Sequence, residues 1–548
     1  MGRVAAGLRR QGTRFAQDRR GATMVMFTLA ALPVVFAAGA ALDYSRASAL
    51  QSRLQQATDM AALAVGGKGQ TLTDTQIAER ARAEFLAVLG DKAPGAWLDP
   101  PLISTGRTEI ALTGNLTYKP LIVQMDGLGP FQISAKSKTV ISDTSFEIAL
   151  VLDNSGSMSS SAGGKSKMAA AKDAAKKLVE TMYAQTQSAT RTKMALVPFT
   201  LTVNAGNQYR DASWVDTTGQ SSIHWQNISR GGSAWQPGSR FSIFEELDVS
   251  WAGCFETRPG TWGTTDAPPN GGVPDSLFVP MFAPDEPGPA GTSTYFHNTG
   301  NNAGSGTRST YPNSYLSDTG GSCVAGSLPA TTDVQGRQAA ICKYQINKDK
   351  SKLSLSSNRG PNRSCDARPL TRLTSSTSVL NSRIDDMRAG GNTNLFEGVA
   401  WGWRTLSPSQ PFADGAGYDD PKTRKIIILM TDGMNRWDQA SNHNGSGYSP
   451  FSFYKDARLG SVPTSSGSAT DAIDRKTRET CAAAKARGVQ IYTVGFSVEG
   501  DSIDAKGLSV LKDCATMPNM AYVASNSDQI VNVFEEIARS IGTLRLAQ

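Results

Sequence analysis

The feature that most constrains this chain is Ala22 to Leu42, 21 consecutive residues without a charge. At about 1.5 Å of rise per residue, a helix of that length spans about 31 Å, and the hydrocarbon core of a bilayer is about 30 Å thick. The segment reads as one transmembrane helix over residues 22–42. Arg3, Arg9, Arg10, Arg14, Arg19 and Arg20 precede it against the single acid Asp18, and Asp43 follows it. The positive-inside rule then makes 1–21 a basic cytoplasmic tail and sets the rest of the chain across the membrane. Ala38-Gly39-Ala40 has the small-x-small form of a signal-peptidase site, so a cleaved secretory signal is the alternative. An uncharged run this long exceeds the usual apolar signal region of about 7 to 15 residues, which favours a retained anchor.

The tail also accounts for the basic charge: its first 20 residues carry +5 of the net +7, leaving the remainder close to neutral. Nucleic acid is therefore not an expected partner. With 39% apolar and 19% charged residues, the rest is ordinary soluble protein. Its length leaves room for three or four structural units at roughly 100 to 200 residues each. His224, His297 and His443 lie far apart with no second ligand at metal spacing, which excludes a zinc site of the usual kind. Cys254, Cys323, Cys342, Cys365, Cys481 and Cys514 are even in number and lack a Cys-x-x-Cys pair. That pattern suits disulfides in an oxidising compartment, although buried thiols would look the same. A bridge between Cys481 and Cys514, joining two helices, is expected.

Beyond the anchor, Ala47, Leu50, Leu54, Ala57, Ala61 and Ala64 recur at spacings of three and four, the stripe of an amphipathic helix. Alternation in Glu109 to Tyr118 and Phe131 to Ile141 predicts strands. Residues 43–144 thus form a membrane-proximal helical stalk and small α/β module. From residue 145, short apolar runs alternate with helical segments, the pattern of a parallel sheet with crossover helices. The strands are expected at 146–152, 194–203, 425–430, 489–498 and 521–525. Helices are expected after 166, at 376–388, 395–406, 472–487 and 508–514, and from 527 to 541. The domain is split into 145–205 and 376–548 by an insertion, 206–375, rich in Gly, Ser, Asn, Thr and Pro, that holds five of the nine tryptophans and four of the six cysteines. Trp214, Trp225, Trp235, Trp251 and Trp262 suit the core of a small stapled subdomain better than a set of partner anchors.

The chemistry gathers at strand ends. The strand at 146–152 runs into Asp153-Asn154-Ser155-Gly156-Ser157, one carboxylate and two hydroxyls that suit a hard cation. Alone, such a loop is most simply a helix cap or turn. The strand at 425–430, however, ends in Thr431-Asp432-Gly433, and Gly390-Gly391-Asn392-Thr393-Asn394 adds a hydroxyl loop ahead of a helix. Carboxyl ends of strands in open α/β sheets are where ligands collect. Gly163-Gly164-Lys165-Ser166 imitates the end of a phosphate-binding loop, but the required earlier glycine is Ser159. No Gly-x-Ser-x-Gly elbow occurs, and Ser157 has no histidine partner in view, so an enzyme is not expected.

Two resemblances follow. Arg19-Arg20-Gly21, the apolar run with Pro33, and LDYSRASALQSRLQQATDMAALAVG resemble the N-terminal segment of TadE/TadG-like proteins of the tight-adherence (Flp) pilus system. Pilin-like members carry Glu at the fifth position after the glycine; here it is Met26, which favours retention as an anchor. The order Asp-x-Ser-x-Ser, Gly-x-Thr-type loop and Asp-Gly resembles the metal-ion-dependent adhesion site of von Willebrand factor type A domains. LFEGVAWGWRTLSPSQPF and ILMTDGMN are again similar to TadG-like proteins.

The resemblance implies a doubly wound, mostly parallel sheet of the von Willebrand factor A, Rossmann-like kind, carrying a long insertion. It implies Asp153, Ser155, Ser157, Thr393 and Asp432 as ligands of Mg²⁺, or Mn²⁺ or Ca²⁺, and a protein partner that offers an acidic residue to the metal. The expected whole is a bacterial inner-membrane protein with one span, its bulk periplasmic, that binds other pilus assembly proteins. The alternative is a minor-pilus or pseudopilin-like scaffold without a working metal site.

Overall fold

The apolar run continues well past bilayer length as one helix, α1 (Ala22–Gly66). The computed structural model describes residues 22–66, 72–104, 109–120, 130–140, 144–185, 191–231, 233–288, 290–291, 294–296, 308–324, 328–330 and 333–543. The basic tail and His297 lie outside them. Among the described residues, α1 is the one helix long and apolar enough to cross a membrane. The chain divides into two compact units, Met1–Asp143 and Thr144–Gln548.

In the first unit, α1 is followed by α2 (Asp74–Leu89), which begins at a capping box formed by Thr73 and Gln76. The strands β1 (Trp97–Leu98), β2 (Leu102–Ile103), β3 (Glu109–Tyr118) and β4 (Phe131–Val140) form an antiparallel sheet in which β1, β2 and β4 all pair with β3. Leu54, Ala57, Ala61 and Val65 of α1 are buried with Ile77, Ala81 and Phe85 of α2 and with Ile110, Leu112, Leu116 and Ile133 of the sheet. The apolar stripe of the stalk is therefore this unit's own core. The earlier half of α1 leaves Met24, Phe27, Leu29, Val34 and Val35 exposed. Asp43, the first charge after the apolar run, is buried and accepts a bond from the Tyr118 hydroxyl at 3.2 Å.

The second unit begins with β5 (Ser145–Asp153), α3 (Lys167–Gln185) and β6 (Thr192–Phe199). The inserted stretch holds α4 (Arg240–Glu246), β7 (Thr294–Phe296), β8 (Arg308–Thr310) and α5 (Val334–Ala339), and ends at β9 (Thr371–Thr374). Then come α6 (Thr377–Asp386), α7 (Leu395–Leu406), β10 (Thr423–Thr431), α8 (Ser466–Ala486), β11 (Gln490–Phe496), α9 (Ala505–Cys514), β12 (Ala521–Ala524) and α10 (Ser527–Thr543).

The sheet runs β12-β11-β10-β5-β6-β9, parallel except where β9 pairs antiparallel with β6. Its strands alternate their faces, as the pleat requires. Phe146, Ile148, Leu150 and Leu152 of β5 pack with Leu178 of α3, Leu380 of α6 and Phe534 of α10. Ala149 and Val151 point the other way, toward Val399 of α7 and Cys514 of α9. At Gly398 a Cβ would fall 2.9 Å from the Phe199 ring and 3.0 Å from Val151, so α7 can lie this close only with glycine there.

The insertion departs from the stapled subdomain expected. Trp214, Phe241, Trp251, Phe255, Phe278 and Phe282 belong to the same core cluster as Val151 and Trp401. All twelve residues of α7 are buried, because the sheet covers one side and the insertion the other. A helix carrying Trp401 and Trp403 on different sides needs apolar cover on both, and the insertion supplies the second. Trp225, Trp235 and Trp262 are half-buried. Three disulfides, Cys254–Cys365, Cys323–Cys342 and Cys481–Cys514, take up all six cysteines, the last joining α8 to α9.

Candidate metal centre

β5 and β10 are parallel neighbours, with Leu152 beside Met430, so Asp153 and Asp432 leave the sheet at one edge. Counted within the sheet, the strand order is 3-2-1-4-5-6, and this pair straddles the point where the order reverses. That reversal opens the crevice in which such sheets bind ligands.

Asp153 is fully buried. Its Oδ1 accepts the Ser155 N–H at 2.7 Å and its Oδ2 accepts the Thr431 hydroxyl at 2.6 Å. The Ser155 and Ser157 hydroxyls lie 3.0 Å apart, and Ser157 donates to Asp432 Oδ1 at 2.7 Å. Four of the five expected residues are thus joined by direct hydrogen bonds. The third loop arrives through its backbone: Gly156 N–H donates to the Gly391 carbonyl at 2.9 Å, and Gly390 N–H to the Asn154 carbonyl at 2.8 Å. Thr393 is buried in that loop, its carbonyl accepting the Arg436 N–H at 2.9 Å. Gly391 has a φ of +76°, and a Cβ there would lie 3.0 Å from Asp366 Oδ2 and 3.4 Å from Thr200 Cβ.

Burial, and after it the Asp432 carboxylate, push Asp153 up to about 7 despite the donors from Thr431 and Ser155. Two carboxylates crowded out of water repel, and a cation among their oxygens would turn that repulsion into attraction. Among the described residues, no group of three or more His, Cys, Asp or Glu is arranged to hold a metal. A cation at this edge would rest on Asp153, Asp432 and neutral hydroxyls, a hard donor set that fits Mg²⁺, Mn²⁺ or Ca²⁺.

Other residues complete the edge without having stood out in the sequence. Thr431 fixes Asp153. Asn435 accepts the Leu395 N–H at 2.7 Å and donates to Asp474 at 2.7 Å, pinning the loop after β10 to α7 and α8. Lys167, the first residue of α3, places its ammonium 3.0 Å from Asp432 Oδ2 and 2.6 Å from Asp501 Oδ2. Thr431 closes β10 just before Asp432 and Asn435 lies on the loop after it, within reach of a sequence reading; nothing in the sequence pairs Lys167 with Asp432. His224 is buried, its Nδ1 2.8 Å from Asp216 and its Nε2 accepting the Arg240 N–H at 2.9 Å.

Residues 21–68 match the family model described as Flp pilus-assembly TadE/G-like. No curated protein sequence matches the chain. Among solved structures, it is similar to the pilus adhesin SpaC from Lactobacillus rhamnosus GG, at 11% identity and a TM-score of 0.31, over 83% of this chain and 35% of that one. The chain thus spans about a third of SpaC. It is similar to the PilB minor pilin from Streptococcus sanguinis, at 11% identity and TM-score 0.31, over 83% of this chain and 80% of that one. It is also similar to the vWF domain of the type V pili tip protein Mfa5 from Porphyromonas gingivalis, at 11% identity and TM-score 0.31, over 73% and 95%.

Proposed function

We propose that this chain is a membrane-anchored, cation-dependent protein-binding component of tight-adherence pilus assembly. The observation that carries the binding chemistry is the convergence of Asp153, Ser155, Ser157 and Asp432 at the strand-order reversal, closed by the Ser157 bond to Asp432 Oδ1 at 2.7 Å. The strand order and the helices on both faces support a doubly wound domain of the von Willebrand factor A kind. Asp153, Ser155, Ser157, Thr393 and Asp432 would hold the cation, some through water. With so few carboxylates the bound ion keeps positive charge, and a partner's acidic side chain would complete its shell. The site is read as binding rather than turning over substrate, because the carboxylate that accepts the Ser157 hydroxyl is itself one of the proposed cation ligands.

The family match at residues 21–68 supports the pilus-assembly setting and other pilus assembly proteins as partners. The exposed apolar half of α1 supports a single span, and the arginines before it a cytoplasmic N-terminus in a bacterial inner membrane. A scaffold role draws on a different observation: α1 is half protruding and half core of an antiparallel unit, a build that would let it enter a filament. N-terminal sequencing that found cleavage after Gly21 would favour that role.

The test is thermal unfolding of the full chain in detergent, with and without MgCl₂, MnCl₂ or CaCl₂, beside Asp153→Ala. A ligand that binds only the folded state raises its stability by mass action, about 2.7 kcal/mol at a hundredfold excess over Kd. A cation-dependent rise that disappears in Asp153→Ala is the expected outcome; a folded protein indifferent to all three cations would refute the metal reading.

A further inference from the structure

Lysine is almost never fully buried without a partner, because its ammonium loses more hydration than a packed stem returns. Lys167 is fully buried, and the chain makes a detour to put it there. Between the Asp153 loop and α3, the backbone folds into a tight turn through Gly163 and Gly164, at φ +76° and +97°. Ala162 N–H donates to the Lys165 carbonyl and Lys167 N–H to the Ser160 carbonyl, both at 2.8 Å. The Gly163-Gly164-Lys165-Ser166 segment is the turn that returns the chain so that Lys167 starts α3.

The groups facing the ammonium are Asp432 Oδ2 at 3.0 Å, Asp501 Oδ2 at 2.6 Å and the Asp501 carbonyl at 3.3 Å. Asp432 is thereby divided: Oδ2 belongs to Lys167, while Oδ1 faces Ser157 and the rest of the donor set. Asp501 sits on the turn after β11, its side chain 44% exposed, so one end of this charge relay reaches solvent.

Resting on the metal reading above, we propose that Lys167 is a positioning residue that sets the cation affinity of the Asp153–Asp432 site. It acts as a resident counter-ion: it holds Asp432 in place when no divalent ion is bound, and it opposes that ion when one arrives. Asp501 moderates it by drawing the ammonium away from Asp432. A fixed positive charge next to a ligand carboxylate costs a divalent ion affinity, and inside a protein one unit charge at this range is worth at least a tenfold change in Kd, on the order expected from Coulomb's law.

The experiment is MgCl₂ titration of the full chain in detergent, read by calorimetry and by thermal unfolding against a chelator control, for wild type, Lys167→Met, Lys167→Arg and Asp501→Asn. Lys167→Met is expected to unfold at lower temperature in chelator and to bind Mg²⁺ at least about tenfold more tightly. Lys167→Arg, which keeps the charge, should stay within about threefold of wild type, and Asp501→Asn should bind about three- to tenfold more weakly. Tighter Mg²⁺ binding by Lys167→Met than by wild type supports the proposal. Wild-type binding left unchanged or weakened in Lys167→Met would overturn it and leave the metal reading standing, whereas silence from every variant would overturn both. Should Lys167→Met fail to fold, Asp501→Asn decides: weaker binding supports the proposal and unchanged binding overturns it.

Discussion

Lys167 and Lys343 are both fully buried between two aspartates, yet they differ in what their carboxylates still have to offer. Lys343 lies 2.8 Å from Asp285 Oδ2 and 3.6 Å from Asp318 Oδ1, and donates to the Asp285 carbonyl at 3.0 Å. The backbone takes the other oxygens: Asp285 Oδ1 accepts the N–H groups of Tyr315 at 2.6 Å and Leu316 at 2.7 Å, and Asp318 Oδ2 that of Gly288 at 2.8 Å. Burial alone would depress the Lys343 ammonium, but Asp285, and with less weight Asp318, hold it above its ordinary range. Backbone amides cannot turn away, so this cluster is closed and ties the strandless parts of the insertion together. At the sheet edge Asp432 Oδ1 accepts the Ser157 hydroxyl, a side-chain donor that can rotate and keeps a lone pair for a further ligand. One ion pair is closed off, and the other leaves the proposed cation room beside it.

The comparison predicts its largest effect at the closed cluster. Lys343→Met leaves two buried aspartates without a cation and should cost about 3–5 kcal/mol, with no recovery on adding MgCl₂. Denaturant midpoints in chelator and in Mg²⁺ would check this, and recovery by the metal would erase the distinction. A smaller effect belongs to Glu286, beside that cluster. Burial pushes it up to about 7, with the Asp285 charge adding, against the Asn313 N–H and Arg363. Its folded value lies above its unfolded one, so the folded state holds a proton the unfolded chain releases. Stability is then fully present below about pH 4.5 and is lost as pH rises from there through 7, by about 1.4 kcal/mol for each pH unit between the unfolded and folded values. Glu286→Gln should flatten stability across that window in parallel denaturation series, while leaving the Mg²⁺ response intact. The smallest effect is steric. Gly391→Ala should cost about 1–2 kcal/mol and weaken the Mg²⁺ response, because the residue must hold φ +76° beside Asp366 and Thr200. Gly390→Ala, whose Cβ would meet nothing within 4 Å, is the control and should match wild type in the same melts.

Much of the second unit was legible because its strands are continuous apolar runs ending in carboxylates. FEIALVLD and KIIILMTD carry their own positions in the sheet, and LFEGVAWGWRTL its helix, bounded in the structure by the same residues. Strand ends were less so: the run from Met194 was expected to reach Val203, but the strand stops at Phe199, where Thr200 and Thr202 turn the chain back on itself. The donor loops of the site were legible through the resemblance to an adhesion-site loop order, which joins Ser157 to Asp432 across 275 residues. Its charge balance was not, because Lys167 meets Asp432 265 residues away and Asp501 334 residues away, and a lysine opening a helix looks like any solvated one. The insertion was opaque for a related reason. Its aromatic residues are spaced by irregular loops, so no period announces that Trp214 and Phe255 share a core with Trp401.

The undivided helix α1 has a mechanical consequence. Its 45 residues make a rod about 68 Å long, with a hydrogen-bond ladder that runs past the one interruption, at Pro33, into the core of the first unit. Leu54, Ala57 and Ala61 lock the far end against α2 and the sheet, so the rod cannot swivel there without tearing that core. Any torque or pull applied to its exposed end must arrive at the folded unit as rotation or tension, undamped by a linker. An assembly gripping residues 22–42 would thus steer the orientation of the first unit directly, as a shaft turns a wheel keyed to it.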